Sequence, residues 1–235
     1  MPIRRLLLHD PRRALPAVLP DVIVLDASEA GPPLPAEAAS EERPSPFHRR
    51  PCGPGLYLRL PPLSCGSAES DLARAAGLGV DGLVLTGAAG RLDVEHLGAK
   101  LAVIEAERGL PDGGLRILAV AADTPAGVLA LPAFAATPRL VGLACDPERL
   151  AFLLGCGPDA PAIAQARALT VLAAAACRVQ AVLVGTSLAA ADLAAAGREG
   201  FGAVLAPAGV RRASGAARRI SSRGSRRNNR DSRPA

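Results

Sequence analysis

Eight short apolar runs, spaced along the chain and mostly separated by helix-patterned stretches, constrain this sequence more than any single residue does. The runs are Arg5–Leu8, Val22–Leu25, Leu56–Leu60, Gly82–Leu85, Leu115–Val120, Val141–Cys145, Ala181–Val184 and Ala203–Leu205. Each has strand length and is rich in Leu, Val and Ile. Residues 68–77, 91–108, 126–135, 161–177 and 187–197 carry helical spacing instead, with helix starts suited to Ser70-Asp71 and Ser187 and an end suited to Gly109. Parallel neighbours cannot be joined by a tight hairpin, so this alternation demands crossover connections. Eight such strands close into an α/β fold, the (β/α)8 TIM barrel, whose chemistry sits at the C-terminal strand ends.

Two stretches break the pattern. Residues 28–54 hold Pro32, Pro33, Pro35, Pro44, Pro46, Pro51 and Pro54 where a helix should follow the second strand. A Pro-rich loop is expected there, with one or two helical turns over 36–42. No helix pattern follows the eighth run either. The barrel is therefore expected to be incomplete after strand 2 and at the C-terminus.

Aromatic residues make up only 2% of the chain, so Ala, Val, Leu and Ile must build the core. The net charge of +5 is unevenly placed. From Arg211 onward there are nine arginines against Asp231 alone, a surplus of +8 that leaves −3 for residues 1–210. We read 1–210 as one barrel domain and 211–235 as a disordered Arg-rich tail, which buries too little apolar surface to offset its ordering entropy. The tail has no aromatic residue to stack on bases, so nucleic acid is not the partner expected despite its charge.

The five cysteines form no CxxC pair, which argues against a disulfide framework or zinc site and for a reducing, cytoplasmic setting. The N-terminal apolar segment is too short for a signal peptide. The Ala-rich stretch 167–197 is interrupted by Arg178, Gln180 and Asp192, so no membrane span is expected. No glycine-rich nucleotide cradle follows a strand.

Carboxylates stand where two strands end. Leu115–Val120 runs into Asp123-Thr124-Pro125, and Val141–Cys145 into Asp146-Pro147-Glu148-Arg149. Acids at this rim serve as metal ligands or acid/base groups, and they also cap the helix that follows. Asp146 before Pro147 has the arrangement of such a cap. His9, His48 and His96 have no partner at catalytic or metal spacing.

The order and spacing of Asp21–Asp26, Tyr57-Leu58-Arg59-Leu60, Asp81–Leu85, Asp123–Leu129 and Gly200-Phe201-Gly202 resemble the citrate lyase β-subunit-like family of the HpcH/HpaI aldolase superfamily, from about Arg4 to Pro207. That resemblance implies a carbon–carbon lyase acting on a 3-hydroxy acyl-thioester of the citryl-, malyl- or citramalyl-CoA kind. It further implies Mg²⁺ as cofactor, a CoA thioester as substrate and a homo-oligomer, trimer or hexamer. Asp123 falls on a metal-binding glutamate of the family and Arg59 on the arginine that grips the substrate carboxylate. Asp26 matches the first acid after strand two and is taken with Arg59 as substrate-binding. Glu148 and Asp146 are the remaining candidates for the metal.

The chain departs from the family at several of these positions. Arg149 stands where the second metal aspartate belongs, Thr86-Gly87 replaces a Pro-Lys pair, and Leu205-Ala206-Pro207 replaces Ile-His-Pro. The sequence offers no residue for the general base. The alternative is a catalytically impaired family member serving as a binding or regulatory subunit.

Overall fold

The computed structural model describes residues 3–9, 20–26, 54–66 and 68–207. Eight parallel strands close into a barrel in sequence order: β1 (Arg4–His9), β2 (Val22–Asp26), β3 (Gly55–Leu60), β4 (Gly82–Thr86), β5 (Arg116–Ala122), β6 (Leu140–Cys145), β7 (Gln180–Val184) and β8 (Ala203–Pro207). The sheet shuts where β8 pairs with β1, from Arg4 against Ala203 to Leu8 against Pro207. The sheet thus closes as the (β/α)8 reading expects, and the connections after β2 and β8 where no helix was expected lie outside the described residues. The tail 211–235, and the Pro-rich stretch except Pro54, lie outside the described residues.

Among the described residues six helices accompany the strands: α1 (Ala68–Leu78), α2 (Arg91–Glu107), α3 (Pro125–Ala130), α4 (Pro147–Leu154), α5 (Pro161–Cys177) and α6 (Ala190–Arg198). α1 starts before Ser70 and α6 after Ser187, whose hydroxyl instead accepts from the Ala189 N–H in the approach to the helix. The expected 126–135 helix is α3 continued by a 3-10 turn, Leu131–Phe134. α4 is the helix that the strand-end acid Asp146 is expected to cap, and its local signals set both ends. Asp146 caps it, Pro147 supplies a preset first position, and Gly155 ends it in the left-handed region at φ 66°.

Strand parity sorts the core. Side chains facing the axis fall into layers from alternate strands. Leu6, Tyr57, Leu118 and Val182 come from odd strands, then Val24, Val84, Ala144 and Leu205 from even ones. Leu8, Arg59, Val120 and Val184, again from odd strands, complete the stack toward the C-terminal mouth. Outward side chains such as Leu58, Leu83, Leu85 and Ile117 pack against the helices. β4 is buried along its whole length, as a strand covered on both faces must be.

Close packing makes two glycines necessary. A Cβ on Gly82 would meet the Tyr57 ring and the Arg116 carbonyl, each at 2.5 Å, so the only tyrosine fits inside the barrel because its neighbour has no side chain. A Cβ on Gly127 would overlap the Ala121 carbonyl, which lets α3 lie directly on β5.

At the opposite, N-terminal end, Glu105 is 1% exposed. Its carboxylate accepts from Arg139 at 2.7 Å, Leu115 N–H at 2.6 Å and Gly113 N–H at 3.0 Å. This ties the end of α2 to the starts of β5 and β6. Burial pushes the Glu105 carboxyl up, but these hydrogen bonds outweigh it and hold it below its usual range.

Two outcomes are expected. Gly127→Ala costs about 3 kcal/mol or more in urea denaturation, because backbone rather than a flexible side chain must give way. Glu105→Ala costs about 3 kcal/mol near neutral pH, because it strips the Leu115 and Gly113 N–H groups of their acceptor and leaves Arg139 only the exposed Asp112. That gap is fully present above the ordinary glutamate value of 4.5 and closes as pH falls through the lower folded-state value, read from denaturation across pH.

Candidate active site at the barrel mouth

Because all eight strands run the same way, Asp26, Arg59, Asp123 and Asp146 reach one end of the molecule, at the finishes of β2, β3, β5 and β6. Asp26 and Arg59 stand opposite each other in the β2–β3 ladder. Arg59 Nη1 lies 3.4 Å from Asp26 Oδ2, with both side chains partly buried. That is longer than the roughly 2.7–2.9 Å of a tight charge-assisted bond. Asp26 therefore engages the guanidinium without closing tightly on it.

Asp123 owes its direction to an irregularity in β5. Val120 pairs with Ala144, but the next pair is Ala122 with Cys145, so β5 carries one extra residue. An extra residue reverses the in–out alternation beyond it. Val120 faces the axis, and simple alternation would then send Asp123 outward; the bulge turns it to the mouth, level with Asp146. The Asp146 N–H donates to the Ala122 carbonyl at 3.1 Å, locking the two strand ends together.

The Asp123 carboxylate is 6% exposed. Oδ2 accepts the Gly87 N–H at 2.9 Å, while Oδ1 is buried with no hydrogen-bond partner. Gly87 has φ 65°, a conformation glycine adopts without strain, and this aims its N–H at the carboxylate. Burial pushes the Asp123 carboxyl up; the Gly87 bond opposes this, the neighbouring Asp146 charge adds to it, and Arg149 pulls it down. The net direction is upward. Capping of α3 falls to Thr124, whose hydroxyl accepts the Gly127 N–H at 3.1 Å, so Asp123 has no capping duty.

Asp146 does cap its helix, accepting the Arg149 N–H at 3.0 Å on Oδ1. Glu148 is exposed in the first turn of α4, and the structure does not bring it to the Asp123–Asp146 pair. Arg149 is exposed as well, yet near enough for its charge to act on Asp123. His9 is buried with Nδ1 unpartnered, and His96 is exposed. The four described cysteines are free. Burial pushes the Cys145 thiol up to about 12, so it is an inert core group.

The sequence shows at Gly87 only the absence of a lysine, and it does not single out the aliphatic floor around Arg59. Leu8, Val120, Val184, Leu205 and Ala206 line that floor with Arg59 around a pocket of about 20 Å³, room for about one water-sized group. The alternating apolar pattern held the signal for the floor, but it reads identically to ordinary core.

Among the described residues no group of three or more His, Cys, Asp or Glu side chains could hold a metal ion. Asp123 and Asp146 nevertheless suit a hard cation that takes one or two carboxylates and completes its shell with water and ligand oxygens. The buried, unpartnered Oδ1 is the atom such an ion would use.

No protein-family model matches the sequence, nor does any curated protein. Solved structures do match the fold. An HpcH/HpaI aldolase/citrate lyase family protein from Burkholderia cenocepacia superposes with TM-score 0.66 at 18% identity, covering 88% of each chain. RipC from Yersinia pestis gives 0.63 at 21% identity, covering 88% of this chain and 89% of its own. The citrate lyase β subunit from Mycobacterium tuberculosis, solved with oxaloacetate and magnesium, gives 0.55 at 21% identity over 80% and 82%. This chain has the citrate lyase β-subunit fold. The likeness agrees with the resemblance read from the sequence, and at such identities it carries the architecture rather than the chemistry.

Asp123→Asn keeps an acceptor for Gly87 and removes the buried charge. The variant is expected to melt above the wild type at neutral pH without added metal, since the raised proton affinity opposes folding once the carboxylate is ionised. Mg²⁺ at a hundredfold excess over its Kd is expected to stabilise the wild type by about 2.7 kcal/mol, several degrees in Tm, and to leave the variant unmoved.

Proposed function

We propose that this chain is a diverged member of the HpcH/HpaI aldolase superfamily, a citrate lyase β-subunit-like carbon–carbon lyase acting with Mg²⁺ on a 3-hydroxy acyl-thioester, with CoA as the thioester carrier. In this reading residues 1–210 are the working barrel and 211–235 an appended tail. The observation that carries it is the buried, unpartnered Asp123 Oδ1 beside Asp146, on the rim that also bears Arg59. The magnesium and oxaloacetate held by the M. tuberculosis protein support the same class of ligand. Further structures of a protein from that organism hold magnesium with acetoacetate, pyruvate or acetate.

Each residue has a role in this reading. Arg59 binds the substrate carboxylate through its planar fork, the natural partner of that group. Asp26 orients the guanidinium from the adjacent strand. Asp123 and Asp146 would hold the cation, with Gly87 fixing the Asp123 carboxylate. When bound, Mg²⁺ supplies Lewis-acid polarisation of the oxygens that gather negative charge as the carbon–carbon bond breaks. The aliphatic side chains around Arg59, with Leu205 below, keep water from entering beneath the reacting acid.

A second reading, the impaired binding subunit, is favoured by Arg149, whose charge acts on Asp123. Turnover of citryl-, malyl- and citramalyl-CoA separates the two. The lyase reading expects Mg²⁺-dependent cleavage that falls at least a hundredfold in Asp123→Ala and rises in KM by tenfold or more in Arg59→Ala. Absence of turnover on all three thioesters, with small acids still bound, selects the impaired subunit.

A further inference from the structure

The top layer of the barrel interior pairs one guanidinium with three aliphatic side chains. Arg59, Leu8, Val120 and Val184 come from the four odd strands, and Leu205 from the layer below fills the space between them. The pocket they enclose with Ala206 has room for about one water-sized group, which is also the size of a methyl. Arg59 is the one polar side chain on that lining, and Asp26 is already at its Nη1.

We propose that this floor is a specificity device: it reads the carbon chain next to the carboxylate held by Arg59 and selects an acid ending in a single short alkyl group. Val120 and Val184 are its determinants. The inference rests on the reading of Arg59 as the carboxylate anchor and adds the class of acid that the anchor accepts. A methyl seated between Leu8, Val120 and Val184 gains the transfer free energy of one buried carbon. A longer chain exceeds the space. A second carboxylate in the same place loses its water and meets no cation besides the Arg59 already engaged, which an apolar pocket penalises heavily. Asp26, Asp123 and Asp146 on the rim above oppose it further.

The test is calorimetric titration of the full-length protein, with Mg²⁺ present, using pyruvate, 2-oxobutyrate, 2-oxovalerate and oxaloacetate. Affinity is expected to rise about fourfold from pyruvate to 2-oxobutyrate, the increment of one buried methylene. It is expected to gain nothing further with 2-oxovalerate, and to fall at least tenfold below 2-oxobutyrate with oxaloacetate. Val184→Thr, which keeps the shape and adds a hydroxyl, is expected to erase the step between pyruvate and 2-oxobutyrate. Val184→Ala is expected to move the best length to 2-oxovalerate. Oxaloacetate binding more tightly than 2-oxobutyrate, or a length preference untouched by both variants, overturns the floor as selector and leaves the lyase reading standing. Failure of all four acids to bind overturns both.

Discussion

A strand in a closed parallel barrel sends every second side chain to the axis, and that alternation governs almost everything in this molecule. It puts Leu6, Val24, Val84 and their neighbours inside as stacked layers and turns Leu58, Leu83 and Ile117 out toward the helices. With few aromatics available, the interior is filled by branched aliphatic residues and one tyrosine above Gly82. The same alternation makes Asp26 and Arg59 inward neighbours at the mouth. Asp123 reaches the mouth only because β5 breaks the rule once, between Val120 and Ala122.

The two ends of the barrel are built on different electrostatic terms. Glu105 is as buried as a core leucine, but two N–H groups and Arg139 satisfy it, so its charge is stabilised. Asp123 is nearly as buried, with one N–H and a carboxylate neighbour, so its charge is disfavoured. A satisfied acid at the N-terminal face fastens the scaffold. An unsatisfied one at the C-terminal face is the group the proposed cation would use, and imbalances of this kind cluster at functional sites.

Much of this was legible in the sequence, and for identifiable reasons. All eight strands were readable because Leu, Val and Ile concentrate where both faces are buried. The Asp146-Pro147 pair signals the start of α4, while its end at Leu154 rests on Gly155 in the left-handed region. Closure is a property of strand pairing, and β8 pairs with β1 along its length; the absent helix patterns concern segments outside the described residues. Asp26, Arg59, Asp123 and Asp146 are readable as strand-end residues, and parallel strands put them at one rim. The bulge that aims Asp123 was invisible, because Val120-Ala121-Ala122 reads the same with or without an extra residue. Glu148, which the resemblance matches to a family acid, lies exposed in the first turn of α4.

The account stands or falls on whether a divalent cation sits between Asp123 and Asp146. Crystals of the full-length protein soaked in Mn²⁺, a stand-in for Mg²⁺ that scatters anomalously, measure this directly. The account predicts an anomalous peak within bonding reach of Asp123 Oδ1 and the Asp146 carboxylate, absent from crystals of Asp123→Asn. A mouth without that peak, with the Arg149 guanidinium lying against both carboxylates in its place, would contradict it.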